Sequence, residues 1–273
     1  MKRCLTVAAD SLQRVTGTRA VQMFALLFAA MALALSYFGL AGQRTAGFQG
    51  FTRVTASLSN LVVYVVPLIA LTVGVTEVTG RRKHLSVILA QPVLRWEVLL
   101  GSYVGVAGAL IAALAIGLGG AGLLIAIQTN ASSLGGYLVL MATSVGLLLA
   151  FLSLAFLIGV VLLDRLKAMA AALVAWFAAV VGYDLFVIGM SSLLKGVALK
   201  SILLPAILMN PVDITRVLVM LSSGRGALFG PAGAVLVDVM GRPQGAAAAG
   251  LALLAQIAAP LVIAVLVFRR RDL

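Results

Sequence analysis

Cysteine is almost absent: Cys4 stands alone among 273 residues, so no internal disulfide can form. Histidine is as scarce, and the lone His84 has no Cys or His cluster with which to hold zinc or copper. Acidic residues number only 8 against 20 basic ones, and charge as a whole falls to 10%. That leaves few pairs of groups for acid/base chemistry. No GxxxxGK[ST] loop, HExxH helix or GxSxG elbow occurs. Gly117-Leu118-Gly119-Gly120 lies in an apolar run and lacks the lysine that would meet phosphate. The chain is therefore expected to be non-catalytic, with no catalytic residues, no metal site and no bound cofactor of its own.

What is present in quantity is apolar sequence. At 63% hydrophobic and a mean hydropathy of +1.17, a chain of this size cannot hide its side chains in a soluble core, which predicts an all-α, polytopic membrane protein. The net charge of +12 would suit nucleic acid, but the basic residues flank apolar runs and no basic patch carries interleaved aromatics. No nucleic-acid partner is expected, and the lipid bilayer is. The amino terminus holds Lys2, Arg3, Arg14 and Arg19, with Ala8-Ala9-Asp10 following too little apolar sequence for a cleaved signal. Residues 3–19 read instead as an amphipathic helix along the inner surface, with Leu5, Leu12 and Val15 toward lipid.

Six spans account for the pattern, near 20–42, 57–75, 98–127, 135–163, 168–190 and 246–268, within one membrane domain covering 1–273. At 1.5 Å per residue each is long enough to cross a core of roughly 30 Å. With both termini inside, the inner segments collect thirteen of the 20 basic residues, which orients the chain by the positive-inside bias. The outer segments 43–56 and 128–134 read as simple connectors. By contrast, 191–245 is long and holds two moderately apolar stretches, 197–209 and 212–221. A seventh span over 199–221 is the alternative; Asn210-Pro211, Asp213 and Arg216 near its centre oppose it, at roughly 2.5–3.5 kcal/mol per charge.

Asn210-Pro211-Val212-Asp213 has the composition of a helix start: Asn caps, Pro fits the first helical position, and Asp suits the positive end of the dipole. Short helices at the outer surface are expected there, able to seal a cavity or carry an exported partner. Asp184, beside Tyr183 late in the fifth span, needs a partner at that depth. A base from the outer helices would supply one; a cation or a coupled proton would also satisfy it.

Between the second and third spans sits a polar island, 76–97, with Glu77, Arg81, Arg82, Lys83, Arg95 and Glu97 around a short apolar stretch. Gly80 can turn the chain, and His84–Gln91 makes a short helix with Leu85, Ile88 and Leu89 on one side, ended by Pro92. Such an element can insert into a groove on a cytoplasmic protein. The plainer reading is a surface loop whose charges only fix orientation.

Glu77-xx-Gly80, followed by Leu89-Ala90-Gln91-Pro92-Val93-Leu94-Arg95-Trp96-Glu97, resembles the inner-loop signature of ABC-2 type transporter permeases. More closely, Gly182-Tyr183-Asp184-Leu185, Asn210-Pro211-Val212-Asp213-xx-Arg216 and the terminal Phe268-Arg269-Arg270-Arg271-Asp272-Leu273 resemble the permeases of nitrous oxide reductase maturation systems, from the first outer loop to the carboxyl terminus. The resemblance implies a bacterial inner-membrane subunit that pairs with a second copy of itself and with two copies of a cytoplasmic ABC ATPase, which bind ATP and Mg. It implies that His84–Gln91 is the coupling helix, with Glu77, Gly80, Arg81, Arg82, His84, Leu85, Ile88, Leu89, Gln91, Pro92 and Arg95 as the ATPase-coupling residues. It also implies that a periplasmic β-helical accessory protein docks on an outer surface around Tyr183, Asp184, Asn210, Pro211, Asp213 and Arg216, in support of copper-sulfur centre assembly. Two readings of another class stand beside it: an ion-coupled secondary transporter using Asp184, and a membrane scaffold for an exported protein.

Overall fold

The computed structural model describes residues 2–41, 47–80, 95–128, 134–193, 197–222 and 242–270. Where the backbone enters hydrocarbon it has no water to bond, so long apolar runs close their hydrogen bonds within the segment as helices. Among the described residues every regular element is helical. In chain order these are α1 (Lys2–Thr16), α2 (Arg19–Ala41), α3 (Gly47–Gly80), α4 (Arg95–Gln128) and α5 (Leu134–Leu162). There follow α6 (Arg165–Phe177), a π turn (Ala178–Gly182), α7 (Tyr183–Leu193), α8 (Val197–Met209), α9 (Pro211–Ser222) and α10 (Arg242–Arg270). Among the described residues six helical stretches are long and apolar enough to cross a membrane, α6, the π turn and α7 together forming one of them, and the bent pair α8–α9 would make a seventh if it counted as one span.

α5 is the centre of the bundle. It packs on α3 and α10 most extensively, on α9 next, and on α4 and α6. Phe151 and Phe156 from this helix lie with Leu71 of α3 and Leu110 of α4 among the largest fully buried side chains. Polar contacts tie the same layers: the Tyr103 hydroxyl lies 3.1 Å from the Leu149 carbonyl and 3.0 Å from Ser153 Oγ. Pro67 in α3 cannot donate to the carbonyl one turn earlier, which loosens the ladder there. On that stretch the Tyr64 carbonyl accepts from Trp176 Nε1 at 3.0 Å, fastening α6 to α3.

Several elements differ from the sequence expectations. α3 begins at Gly47, so 47–56, read above as connector, is helical; it contains no proline and only two glycines to stop the helix from running beyond the apolar span. α5 and α6 are separated by Leu163 and Asp164 alone. Leu163 takes a left-handed φ of 56°, and the Asp164 carboxylate caps α6 by accepting from the Lys167 amide at 3.0 Å, which holds its pKa below the usual carboxylate value. α8 and α9 are two short helices in the stretch read above as 191–245, bent by 103° between them. Yet α9 is not a surface element: Val212, Asp213, Ile214, Thr215, Val217, Val219 and Met220 are all buried against the bundle.

α1 packs across α4. Leu5 and Leu12 are exposed, as a lipid-facing side requires, but Val15 is turned inward with Ala8 and Ser11. The correction has a steric cause. A side chain on Gly105 would meet the Ala8 carbonyl at 2.4 Å and Ser11 at 2.6 Å, so this glycine lets the small face of α1 sit directly on the α4 backbone. Val15 extends that face one turn further.

Gly105→Ala is therefore expected to lower stability by roughly 1–3 kcal/mol through overpacking. In the same helix, Gly119→Ala meets open space and is expected to be neutral or slightly stabilising. Thermal unfolding of both variants in matched lipid nanodiscs checks the contrast, and equal behaviour would contradict the α1–α4 contact.

Candidate functional site

One end of the bundle brings together Tyr183, Asp184, Asn210, Pro211, Asp213 and Arg216, residues drawn from two segments more than twenty positions apart in sequence. The local cause is the break at Asn210. Pro211 opens α9, and Asn210 Oδ1 caps it by accepting from the Val212 amide at 3.1 Å. Asn210 is buried, and its Nδ2 donates to the Ala179 carbonyl at 2.8 Å. Ala179 belongs to the π turn, where the Tyr183 amide reaches back to Ala178 rather than one residue less. π turns of this kind displace carbonyls from the regular ladder and occur often at functional positions. Here the displaced register meets the hinge between α8 and α9.

The other strand of the break is satisfied as well. α8 ends at Met209, and the Leu208 carbonyl in its last turn accepts from Gln256 Nε2 of α10 at 2.8 Å. Gln256 lies near the middle of an apolar span, and sequence reasoning passed over it; the signal was a single amide in an otherwise apolar run. The π turn left no sequence signal, because its residues, Ala-Ala-Val-Val-Gly, are ordinary membrane-helix residues.

Beyond the hinge stands the ion cluster. Arg216 of α9 grips Asp184 of α7 with both terminal nitrogens, Nη1 to Oδ1 at 2.5 Å and Nη2 to Oδ2 at 3.1 Å. A planar guanidinium facing a carboxylate in this way is a fork with fixed orientation as well as strength. Asp213 is one turn away on α9, and its Oδ1 accepts a longer bond of 3.4 Å from Arg216. Asp213 is buried, and its Oδ2 and the Tyr183 hydroxyl are both shielded without a hydrogen-bond partner. The base expected for Asp184 is thus Arg216, and a second acid shares it.

Two hollows adjoin the cluster. A cleft of about 780 Å³ lies between α6 and α10 with α5 at its back, lined mainly by alanines and reaching Tyr183, Asn210 and Gln256. A smaller one of about 200 Å³ lies between α3 and α9, bordered by Ser59, Asn60 and Arg216. The first has the apolar lining typical of a space for hydrocarbon or another helix; the second is the more polar.

At the opposite end, α3 carries Glu77 in its last turn and stops at Gly80, and α4 resumes at Arg95. Glu77 borders a crevice with Val98, Ser102 and Phe268, joining the ends of α3, α4 and α10. Arg81, Arg82, His84, Leu85, Ile88, Leu89, Gln91 and Pro92 of the expected coupling helix lie outside the described residues.

Residues 6–273 match the family model described as "ABC-2 family transporter protein". The chain is 32% identical over 279 residues to "Probable ABC transporter permease protein NosY" of Stutzerimonas stutzeri, covering 99% of each. It is 31% identical over 274 residues to the protein of the same name from Pseudomonas aeruginosa PAO1, covering 98% of each.

The ion pair generates a quantitative expectation. Arg216→Gln leaves both Asp184 and the buried Asp213 without their base and is expected to cost near the lower end of the roughly 3–5 kcal/mol seen when a buried pair is broken, whereas Asp184→Asn leaves Arg216 its longer bond to Asp213 and should cost less. The double variant strands none at that pair and should cost less than the two together. A double-mutant cycle on thermal stability in nanodiscs measures this, and simple additivity would show that the two residues do not interact.

Proposed function

The chain belongs to the ABC-2 family of transporters as a non-catalytic permease subunit, and we propose that it carries ATP-driven movement from a cytoplasmic ATPase to an outer docking surface. In this reading it sits in the bacterial inner membrane with both termini in the cytoplasm. It pairs with a second copy of itself and with two copies of an ABC ATPase, which hold the ATP and Mg. Near full-length similarity to permeases named NosY supports placing it in a nitrous oxide reductase maturation system. There its outer partner would be a periplasmic β-helical protein, and its task the support of copper-sulfur centre assembly.

One observation carries the mechanical part of this reading. The region read as the coupling element, 76–97, takes in the last turn of α3 and the first turn of α4, two helices of 34 residues each. At 1.5 Å per residue each is a rod of about 50 Å. α3 packs on α5 and α6 and touches α9, so a push at Gly80 would be carried along this helix, past the loosened ladder at Pro67, to the neighbourhood of the α8–α9 hairpin. Arg216, which keeps part of its side chain open, would then present or withdraw the surface on which the outer partner sits, with the buried Asp213 holding its orientation from beneath.

The carrier reading built on Asp184 is weaker. Both oxygens of this carboxylate are engaged by Arg216, so binding a cation there would first require breaking the fork.

Co-expression with the candidate ATPase and purification of the complex tests the proposal. Leu85→Asp and Ile88→Asp are expected to weaken ATPase association while leaving the isolated permease stable; full association in both variants would refute the coupling role. Charge reversal at Asp213 and Arg216 is expected to reduce recruitment of the outer partner. Unchanged recruitment in a correctly folded variant would remove these residues from the docking surface.

A further inference from the structure

Two acids and one base meet where α9 leans on α7, and the base is divided between them unequally. Arg216 gives Asp184 two bonds, at 2.5 and 3.1 Å, and Asp213 a single one of 3.4 Å. Exposure runs the other way: the Asp184 side chain keeps 34% of its surface open and that of Asp213 only 7%. Were both acids ionised, the enclosed one would need the stronger pairing, because water can help only the open one. It has the weaker. Its Oδ2 is shut away from water and accepts no hydrogen bond, although an ionised carboxylate offers lone pairs on both oxygens. A neutral carboxylic acid fits this position better: its carbonyl oxygen accepts the long bond from Arg216, and an unpaired hydroxyl costs less than an unpaired charge.

The charge balance points the same way. The groups around Asp213 are Arg216 on its own helix and Asp184 and Tyr183 on α7. On α3, Tyr64 lies beside Arg216, and Arg53 stands about two turns before Asn60. α5, on which α9 packs most, has no charged residue, and α10 has none between Arg242 and Arg269. The one charged residue of α8, Lys200, stands near the start of that helix, away from the break. With Asp213 ionised, one guanidinium answers two carboxylates; with Asp213 neutral, the Asp184–Arg216 pair is complete. The proton is nonetheless exchangeable. Arg216 and the helix start both favour a charge on Asp213, and they work against the enclosure that disfavours it.

We propose that Asp213 carries a proton in this arrangement, and that the proton is a latch on α9, which loosens from the bundle when it is lost. Ionisation sets a charge on the buried face of α9, beside Val212, Ile214 and Thr215. It also sets Asp213 in competition with Asp184 for Arg216, and so weakens the fork that ties α9 to α7. The sign is fixed by where the proton goes. An unfolded chain releases it at the ordinary aspartate value of about 3.9, whereas the fold keeps it to higher pH. The stability this residue contributes is therefore full at acid pH and is lost as the pH rises through ionisation of Asp213 in the fold. The latch belongs to the permease alone and holds whichever partner docks beyond it.

Asp213→Asn keeps the shape of the neutral acid and cannot ionise, so it is melted beside the wild type in matched lipid nanodiscs from about pH 5 to about pH 8. The two are expected to melt together at the acid end, with the wild type alone shifting to lower temperature as the pH rises. A variant that melts below the wild type by the same margin at every pH overturns the latch, because the carboxylate would then be needed throughout. Equal melting at every pH overturns it too, since the proton would hold nothing. Should the variant fail to assemble, infrared spectra of the full chain with isotope-labelled aspartate decide. A protonated-carboxyl band that fades toward the alkaline end and survives in Asp184→Asn supports the latch. Absence of that band, or its loss in Asp184→Asn, which would put the proton on the other acid, refutes it.

Discussion

The structure turns on one constraint: a helix broken inside an apolar bundle must find hydrogen-bond partners for its loose ends without water. An unmet amide or carbonyl in hydrocarbon costs several kcal/mol, more than most single packing contacts return. At the break between α8 and α9 the amide side is met by Asn210, and a carbonyl of the closing turn by Gln256 from α10. Asn210 then uses its remaining donor on the π turn of the neighbouring span. Three separate chain segments are thus fixed to one another by two amide side chains, and the 103° bend can be held deep in the bundle.

The position of the ion cluster follows from that bend. α9 starts at Pro211, so Asp213 falls in its first turn, where the helix dipole favours negative charge, and Arg216 falls one turn later. From there the guanidinium reaches α7, which begins where the π turn ends. Asn210 and Arg216 therefore hold the same span at two points, one on the π turn and one just beyond it. Rotation of α9 about either contact alone would break the other. Two acids flank the one arginine, since Arg216 contacts both Asp184 and Asp213 at once.

Much of this was legible in the sequence wherever the physics is local. Hydropathy and span length are local, and the six long helices lie where the apolar runs are. The helix start at Asn210-Pro211-Val212-Asp213 is local, because a cap, a first-turn proline and a first-turn acid act within four residues. That Asp184 needed a base was also legible, since burying a charge demands one. What could not be read is which distant group answers. Gln256 is 48 positions from the carbonyl it serves, and Ala179 is 31 from Asn210. The inward turn of Val15 was equally hidden, because hydrophobic patterning on α1 cannot reveal that Gly105, on another helix, leaves room for it.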